Sequence, residues 1–192
     1  QHWASVSDDH EVMVTALVQG AKPVVLGKHD ADIFGFAFDA HGSKLATVSH
    51  DGVAKVWDTK SGRKLAEVRG VDETFLGVTL SPDGARLVLV TDDKIARVYD
   101  VATGRVLGTL DGHSANIDRI AYNGDGRRIL THSADGSAIL WNAATLEPEI
   151  NFFLPSSSVV HARLTVDEGR AALVTTEGLV EVWDNTKKVR LS

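Results

Sequence analysis

The stretch Lys55-Val56-Trp57-Asp58 decides the fold, because close variants of it recur along the chain at one fixed interval. The recurrences are Arg97-Val98-Tyr99-Asp100, Ile139-Leu140-Trp141-Asn142 and Glu181-Val182-Trp183-Asp184. Their aromatic residues stand at positions 57, 99, 141 and 183, so each lies 42 residues after the one before. A degenerate copy, Val12-Met13-Val14-Thr15, lies one interval upstream. A fixed period without insertions predicts a repeat protein, in which each period forms one supersecondary unit.

Each period contains four short apolar stretches that are separated by turn residues. In the second copy these are Ile33–Phe38, Lys44–Ser49, Val53–Trp57 and Lys64–Val68. Short strands bounded by Gly, Asp, Ser and Asn are typical of antiparallel hairpins, and the first turn here is Asp39-Ala40-His41-Gly42. The sequence therefore predicts an all-β protein of four-stranded antiparallel units. The innermost strands are expected to begin at Ile33, Phe75, Ile117 and Val159.

A repeat with four strands, a Gly-His near its start and a Trp-Asp at its end resembles the WD-repeat family. Gly112-His113 and Trp57-Asp58 are the full dipeptides, whereas Gly27-Lys28-His29 has its glycine one position earlier. The resemblance covers essentially the whole chain. It implies a β-propeller, in which each repeat supplies one four-stranded blade and the blades stack radially around a central channel.

The length of the chain sets the number of repeats, since 192 residues divided by 42 gives about 4.6. We expect a single propeller region over residues 1–192, divided as follows: a partial blade 1–26, blades 27–68, 69–110 and 111–152, and a blade 153–192 with an incomplete last strand. A propeller has to close so that its apolar blade faces are covered. A fragment of a larger propeller is therefore favoured, and a five-bladed ring lacking its closing strand and a ring shared between two chains remain open. The short repeat, rich in Ala, Gly and Asp, also resembles bacterial WD-repeat arrays.

The resemblance further implies a buried, hydrogen-bonded tetrad of His, Ser or Thr, Asp and Trp in each well-formed repeat. The second copy matches with His29, Ser49, Asp51 and Trp57. The fourth copy matches with His113, Ser133, Asp135 and Trp141. The third and fifth copies depart from this pattern, with Val71, Thr91, Asp93 and Tyr99 in one and Pro155, Thr175, Glu177 and Trp183 in the other.

His29, Ser49 and Asp51 also have the residue types of a nucleophilic triad. An enzyme needs one such group facing a cleft with an oxyanion hole, whereas this group recurs at the repeat period. We therefore interpret the tetrads as structural and expect no catalytic residue. The other histidines lack metal-ligand spacing and no glycine-rich phosphate loop is present, so we expect no metal and no cofactor. An enzyme with a site in the channel is an alternative, but the innermost strands offer it only Asp118, Arg119 and His161.

In this family the loops between blades and inside the second hairpin line the top face, where partners commonly bind. The resemblance places on that face the residues one and three positions after the His and the residue just before the Asp. The predicted partner-binding residues are Asp30, Asp32, His50, Asp72, Thr74, Asp92, Asn116 and Ser158. The set is acidic and contains no Lys or Arg, which favours a basic peptide or protein, although Asp is also common in loops for local reasons. Large aromatic anchors are missing from it.

Composition narrows the class of protein. The formal net charge of -6 argues against nucleic acid as a partner, and no apolar run is long enough for a membrane span. Cysteine is absent, which suits a reducing compartment, and we expect a cytoplasmic location. The expected function is a non-catalytic scaffold or sensor that binds a protein or peptide. Besides the channel enzyme, a purely architectural module within a larger assembly is the other alternative.

Overall fold

The computed structural model describes residues 2–70, 74–153, 159–164, 169–185 and 189–191, and these residues form β-strands joined by turns. The strands are β1 (His2–Val6), β2 (Glu11–Ala16), β3 (Val24–Lys28), β4 (Ile33–Phe38), β5 (Lys44–Ser49), β6 (Val53–Asp58), β7 (Lys64–Arg69), β8 (Phe75–Leu80), β9 (Arg86–Thr91), β10 (Ala96–Asp100), β11 (Val106–Leu110), β12 (Ile117–Tyr122), β13 (Arg128–Ser133), β14 (Ala138–Asn142), β15 (Pro148–Phe152), β16 (Val159–Leu164), β17 (Arg170–Thr175), β18 (Val180–Asp184) and β19 (Val189–Arg190).

The strands pair in chain order into five antiparallel sheets. The first sheet is β1-β2-β3, and the following four contain β4 to β7, β8 to β11, β12 to β15 and β16 to β19. We call these sheets blades 1 to 5. The prediction of an all-β protein with four-stranded antiparallel units is confirmed, and the pattern is that of β-propeller blades.

Local turn chemistry fixes each first hairpin at the same place. In blade 2 the backbone N–H of Gly42 donates to the carbonyl of Asp39 at 3.1 Å, and Gly42 has a positive φ of 67°. Glycine adopts this left-handed conformation without the steric cost that a Cβ would add. The Asp39 carboxylate accepts from the backbone N–H of Lys44 at 3.0 Å, which ties the turn to β5. The sequence period therefore reproduces the strand register from blade to blade.

The core lies between the blades, in four apolar layers that each join one blade to the next. The alternation of a strand sends neighbouring side chains to opposite faces, so each middle strand contributes to two layers. In β5, for example, Leu45 packs against blade 1 beside Val12, whereas Val48 packs against blade 3 beside Leu89. Because both faces are covered, the middle strands β5 and β9 are buried over all but their first residue.

The observed blade limits differ slightly from the predicted ones. The innermost strands begin at the four predicted residues. β3 runs to Lys28 and so extends past the expected limit at residue 26, and β7 ends at Arg69, one residue after 68. Both strands are longer than predicted because their final residues still pair with the neighbouring strand. Lys28 pairs with Glu11, and Arg69 pairs with Val53.

One face of blade 1 and one face of blade 5 are exposed at positions that are buried elsewhere. Trp3 in blade 1 is 64% exposed, whereas Leu45 and Leu87, one and two periods later, are 0% and 1% exposed. Val180 in blade 5 is 60% exposed, whereas its counterpart Ala138 in blade 4 is fully buried. Within the described residues, these two faces lack the neighbouring blade that covers the equivalent faces.

Candidate functional site

A buried polar network ties the first loop of blade 2 to its middle strands. His29 lies in the loop before β4, and its Nδ1 is 3.0 Å from Oδ2 of Asp51 in the β5–β6 turn. On the other side of the ring, Nε2 is 2.8 Å from the Oγ1 of Thr47 on β5. That hydroxyl also accepts a hydrogen bond from the indole N–H of Trp57 at 2.9 Å. The network therefore links one loop, one turn and two strands through four side chains.

Blade 4 repeats the network with nearly identical distances. His113 Nδ1 is 3.1 Å from Asp135 Oδ2, and Nε2 is 2.8 Å from Thr131 Oγ1. The Trp141 indole donates to Thr131 at 2.9 Å. In addition, the Ser137 hydroxyl donates to Asp135 at 2.6 Å. The two copies show that sequence identity at these positions reproduces one geometry.

The hydroxyl in these networks corrects the residue chosen from sequence. Ser49 and Ser133 were predicted as the hydroxyl members of the tetrads, but Thr47 and Thr131 are the hydroxyls that contact both His and Trp. In the register of β5 with β6, Trp57 lies opposite Leu45, so Thr47 is its diagonal neighbour on the same face. Ser49 lies at the end of β5, where its hydroxyl donates to the carbonyl of Ala31 at 2.8 Å and accepts from the Asp51 N–H.

The electrostatics of the network favour a neutral imidazole beside a charged carboxylate. Burial lowers the pKa of His29 and of His113 below the usual histidine value. Burial alone would raise the pKa of Asp51, but hydrogen bonds from the backbone N–H groups of Asp30 and Val53 and from His29 hold it below its ordinary value. The neutral His29 thus donates from Nδ1 to Asp51, and the Thr47 hydroxyl donates to Nε2.

In this geometry both hydroxyls near His29 are already engaged in hydrogen bonds within the fold. Thr47 is the hydroxyl beside His29, yet it is fully buried and already accepts from Trp57. Ser49 is committed to the loop carbonyl of Ala31. A nucleophile has to reach a substrate and to be activated by its base. The arrangement serves to satisfy buried polar groups and to fix strand register.

Blades 3 and 5 satisfy the same region with different chemistry. In blade 3 the Arg97 guanidinium donates to the Thr91 hydroxyl at 2.6 Å and to the Asp93 carboxylate at 2.5 Å. The hydrogen bond from Arg97 lowers the pKa of Asp93 to about 2. In blade 5 the Trp183 indole donates to the buried carboxylate of Glu181 at 3.2 Å. Arg97 and Glu181 occupy one repeat position, immediately before the Val of each Val-aromatic pair, and sequence reasoning did not single them out.

The predicted partner-binding residues that the structure describes lie at one end of the blades. Backbone hydrogen bonds bring them together in pairs. The N–H of His50 donates to the main-chain carbonyl of Asp32 at 2.9 Å, and that of Asp92 donates to the main-chain carbonyl of Thr74 at 3.0 Å. The equivalent bond in blade 4 joins Ala134 to Asn116 at 2.9 Å. Asp72 and Ser158, which were also predicted, lie outside the described residues.

The acidic side chains at this end differ in how free they are. The Asp32 side chain is 82% exposed, and its Oδ1 is 3.2 Å from Nδ1 of His10. The backbone N–H of the exposed Asp30 donates to the Asp51 carboxylate. The Asp30 carboxylate itself makes no hydrogen bond or ion pair with a described residue. The Asp92 carboxylate accepts from the backbone N–H of Thr74 at 3.0 Å, so it also stabilises the loop. The carboxylates of Asp30 and Asp32 therefore accept no backbone hydrogen bond from a described residue, whereas that of Asp92 stabilises its own loop.

An aromatic side chain at this end was missed by sequence reasoning. Phe34, the second residue of β4, is partly exposed, and its ring centroid lies 4.7 Å from that of His50. The sequence shows Phe34 in the innermost strand of blade 2, but its exposure and its contact with His50 depend on the fold. The predicted set contained no large aromatic side chain, and Phe34 lies beside one of its members, His50.

Two further observations bear on ligands and membranes. In the part of the chain that the structure describes, no three His, Asp or Glu side chains come close enough together to hold a metal ion. Over the same residues, no helix has the length and hydropathy that a membrane span requires.

Together, the blades and their polar networks define a class of repeat protein built from antiparallel four-stranded units. Residues 21–58 and 104–142 match the family model described as WD domain, G-beta repeat. Two segments of the chain therefore match WD40 repeats, which supports a WD-repeat family. Each matched segment contains one complete network, that of His29 to Trp57 in the first and that of His113 to Trp141 in the second. WD40 repeats generally mediate protein–protein interactions and are typically non-enzymatic. A search of curated proteins gives no match.

Proposed function

We propose that this chain is a non-catalytic interaction module that binds a basic peptide or protein segment at the end of the blades where Asp30, Asp32 and His50 lie. The observation that carries the proposal is the set of backbone hydrogen bonds that holds Asp32 beside His50 and Thr74 beside Asp92. These bonds place exposed acidic groups of neighbouring blades at one end of a rigid scaffold. Rigid placement lowers the ordering cost of binding.

The charge of this end supports a basic partner. None of the eight predicted positions is Lys or Arg, and the whole chain carries a formal net charge of -6. Opposite charges across an interface raise the association rate and the specificity more than the final affinity. We therefore expect binding to weaken steeply as salt is added.

Phe34 gives the proposal an apolar contact as well as a charge. Its ring beside His50 is partly exposed, so an alkyl or aromatic side chain of the partner can cover it. The face of an aromatic ring also attracts a Lys or Arg cation. The partner segment that fits best has basic residues flanking an apolar or cationic side chain over Phe34.

The test compares charge reversals at the two ends of the blades. Lysine- and arginine-rich peptides are titrated against the protein by fluorescence anisotropy, next to the same peptides with glutamine at the basic positions. Asp30→Lys and Asp32→Lys should each weaken binding roughly two- to fivefold. Glu147→Lys is the matched control, because Glu147 is exposed in the turn between β14 and β15, at the opposite end of the blade.

Phe34→Ala should lower affinity for the basic peptides without changing the salt dependence, because it removes contact area and leaves the charge in place. Equal binding by the glutamine peptides would contradict the charge part of the proposal. A loss with Glu147→Lys as large as that with Asp32→Lys would place the site elsewhere on the molecule.

We also propose that the five blades belong to a larger ring with at least one further blade. The support is the exposure of Trp3 and Val180 at positions that are buried in the other blades. A neighbouring blade would cover both side chains as blade 2 covers blade 1. A further blade could come from the same polypeptide or from a second chain.

A further inference from the structure

A cavity of about 590 Å³ lies along the innermost strands of blades 3, 4 and 5. It is bounded by β8, β12 and β16, and it is within the size range of sites for small organic ligands. Its walls are largely apolar and include Val90, Ile120 and Leu130. The repeat provides an internal comparison here, because each polar residue of the cavity has counterparts at the same position in other blades.

His132 is the first departure from the repeat in this cavity. The residues at its position in blades 2, 3 and 5 are Val48, Val90 and Val174. His132 is only 7% exposed, and its Nε2–H donates to the carbonyl of Val159 at 2.5 Å. Its Nδ1 has no hydrogen-bond partner among the described residues and lies 3.9 Å from Asp118 Oδ2. A buried imidazole with one unsatisfied nitrogen destabilises the fold relative to valine.

Tyr122 is the second departure. Its counterparts are Phe38, Leu80 and Leu164, so the other blades keep this position apolar. The Tyr122 hydroxyl is buried and finds no hydrogen-bond partner within the described chain. Burial raises the pKa of the phenol to about 12, so the group remains a neutral O–H donor. Blade 4 thus places two buried polar groups without described partners on one cavity, which is a feature of ligand-binding sites.

The rim of the cavity is cationic, unlike the same positions in blades 2 and 3. Arg119 and His161 occupy the position of Gly35 and Gly77. Arg163 also lines the cavity and stands where Thr79 stands in blade 3. Neither arginine makes an ion pair with a described residue, and both are exposed. Among the described residues that line the cavity, Asp118 is the one carboxylate, and the two arginines outnumber it.

From these observations we propose that the cavity binds a small organic anion, with a carboxylate or phosphate group held by Arg119 and Arg163. Tyr122 and His132 contact polar atoms of the same molecule, and its apolar body lies on Val90, Ile120 and Leu130. Arginine is suited to this task because its guanidinium meets both kinds of oxyanion with two parallel hydrogen bonds. The site is separate from the acidic end of the blades and requires the opposite charge in its ligand.

The ligand class is tested with defined probes, each paired with a control molecule. Phenyl phosphate and 3-phenylpropanoate represent the two anions, 3-phenylpropanamide removes the charge, and inorganic phosphate removes the apolar body. Binding is followed by calorimetry and by NMR shifts of the Tyr122 and His132 rings. Binding of one or both aromatic anions at millimolar concentration, and not of the amide or of free phosphate, is expected. The anion that binds more tightly identifies the group that the arginines hold. Absence of binding by both aromatic anions overturns the proposal, as does equal binding by the amide.

The repeat itself supplies variants that keep the fold. Arg119→Gly and Arg163→Thr copy blade 3 and should each lower affinity for the bound anion about tenfold, the loss expected for one charge-assisted hydrogen bond. His132→Val and Tyr122→Leu copy other blades, so they should raise the melting temperature while weakening binding. Arg105→Ala, in an exposed turn before β11, is the control and should leave binding unchanged. Unchanged affinity in both arginine variants overturns the proposal, and so does a lowered melting temperature together with unchanged affinity in His132→Val.

Discussion

The indole N–H of Trp57 donates to the hydroxyl of Thr47 at 2.9 Å, and this contact completes the polar path from the Asp51 turn to the middle strands of blade 2. Both residues are buried, so water cannot replace either partner. The same contact recurs between Trp141 and Thr131 at the same distance. The hydroxyl is thus the junction of each network, because it is shared by the imidazole and the indole.

Removal of the Thr47 hydroxyl should destabilise the protein more than removal of the Thr47 methyl group. Thr47→Val keeps the side-chain shape but leaves His29 Nε2 and the Trp57 N–H unsatisfied, at a cost of about 1 to 3 kcal/mol in the free energy of unfolding. Thr47→Ser keeps the hydroxyl and serves as the control. Urea unfolding followed by tryptophan fluorescence measures both variants. If Thr47→Val were as stable as Thr47→Ser, the junction role of the hydroxyl would be excluded.

The free energy of unfolding should decrease in two separate ranges as the pH is lowered. The pKa values of His29 and His113 are lowered by burial, so below about pH 6.5 the unfolded chain binds more protons than the folded chain. The folded state therefore loses stability as the pH falls through this range. The pKa values of Asp51 and Asp135 are also lowered, because their hydrogen bonds outweigh the effect of burial. By the same linkage, a second loss follows below about pH 3.8.

The histidine range is checked by measuring the free energy of unfolding between about pH 5 and pH 7. His29→Gln and His113→Gln should each reduce the slope of stability against pH, whereas His41→Gln, at an exposed turn position, should not. A slope that is the same in all three variants would mean that the buried imidazoles do not set the pH dependence.

In blade 3 the pKa of Asp93 should depend on the charge of Arg97, a coupling that blades 2 and 4 lack. Arg97→Met removes the hydrogen bonds to Thr91 and Asp93, so the pKa of Asp93 should rise from about 2 toward its ordinary value of 3.8. NMR titration of the Asp93 side chain measures this change directly. Arg105→Met, in an exposed turn of the same blade, is the control. An Asp93 pKa that stays near 2 in Arg97→Met would show that other groups hold the carboxylate charged.

The repeat period was sufficient to predict the strands, because apolar alternation and turn residues act locally. The start of β4 at Ile33 and the turn at Gly42 follow directly from these signals. The choice between Thr47 and Ser49 did not, since both lie on the same face of β5 and only the register against Trp57 distinguishes them. His132 and Tyr122 also escaped notice, because their significance lies in the apolar residues at the same position of other blades and in a cavity that joins three blades.

The exposed tryptophan of blade 1 gives a direct test of the larger ring. Trp57 and Trp141 are almost fully buried, whereas Trp3 is 64% exposed. Acrylamide should therefore quench a large part of the tryptophan fluorescence, and Trp3→Phe should remove most of that accessible part. Phe keeps an apolar ring at the position, so the variant changes the probe and not the packing of β1 against β2.

The accessibility of Trp3 to acrylamide also distinguishes the ways in which the ring can be completed. If a second chain supplies the missing blade, sedimentation should show concentration-dependent association, with Trp3 becoming protected from acrylamide as the complex forms. Val180→Asp should abolish this association, because it places a charge on the apolar face of blade 5. If the blade belongs to another part of the same polypeptide, residues 1–192 on their own should stay monomeric with Trp3 accessible throughout. A monomer that protects Trp3 would mean that blade 1 and blade 5 cover each other, and the proposal of a further blade would then be wrong.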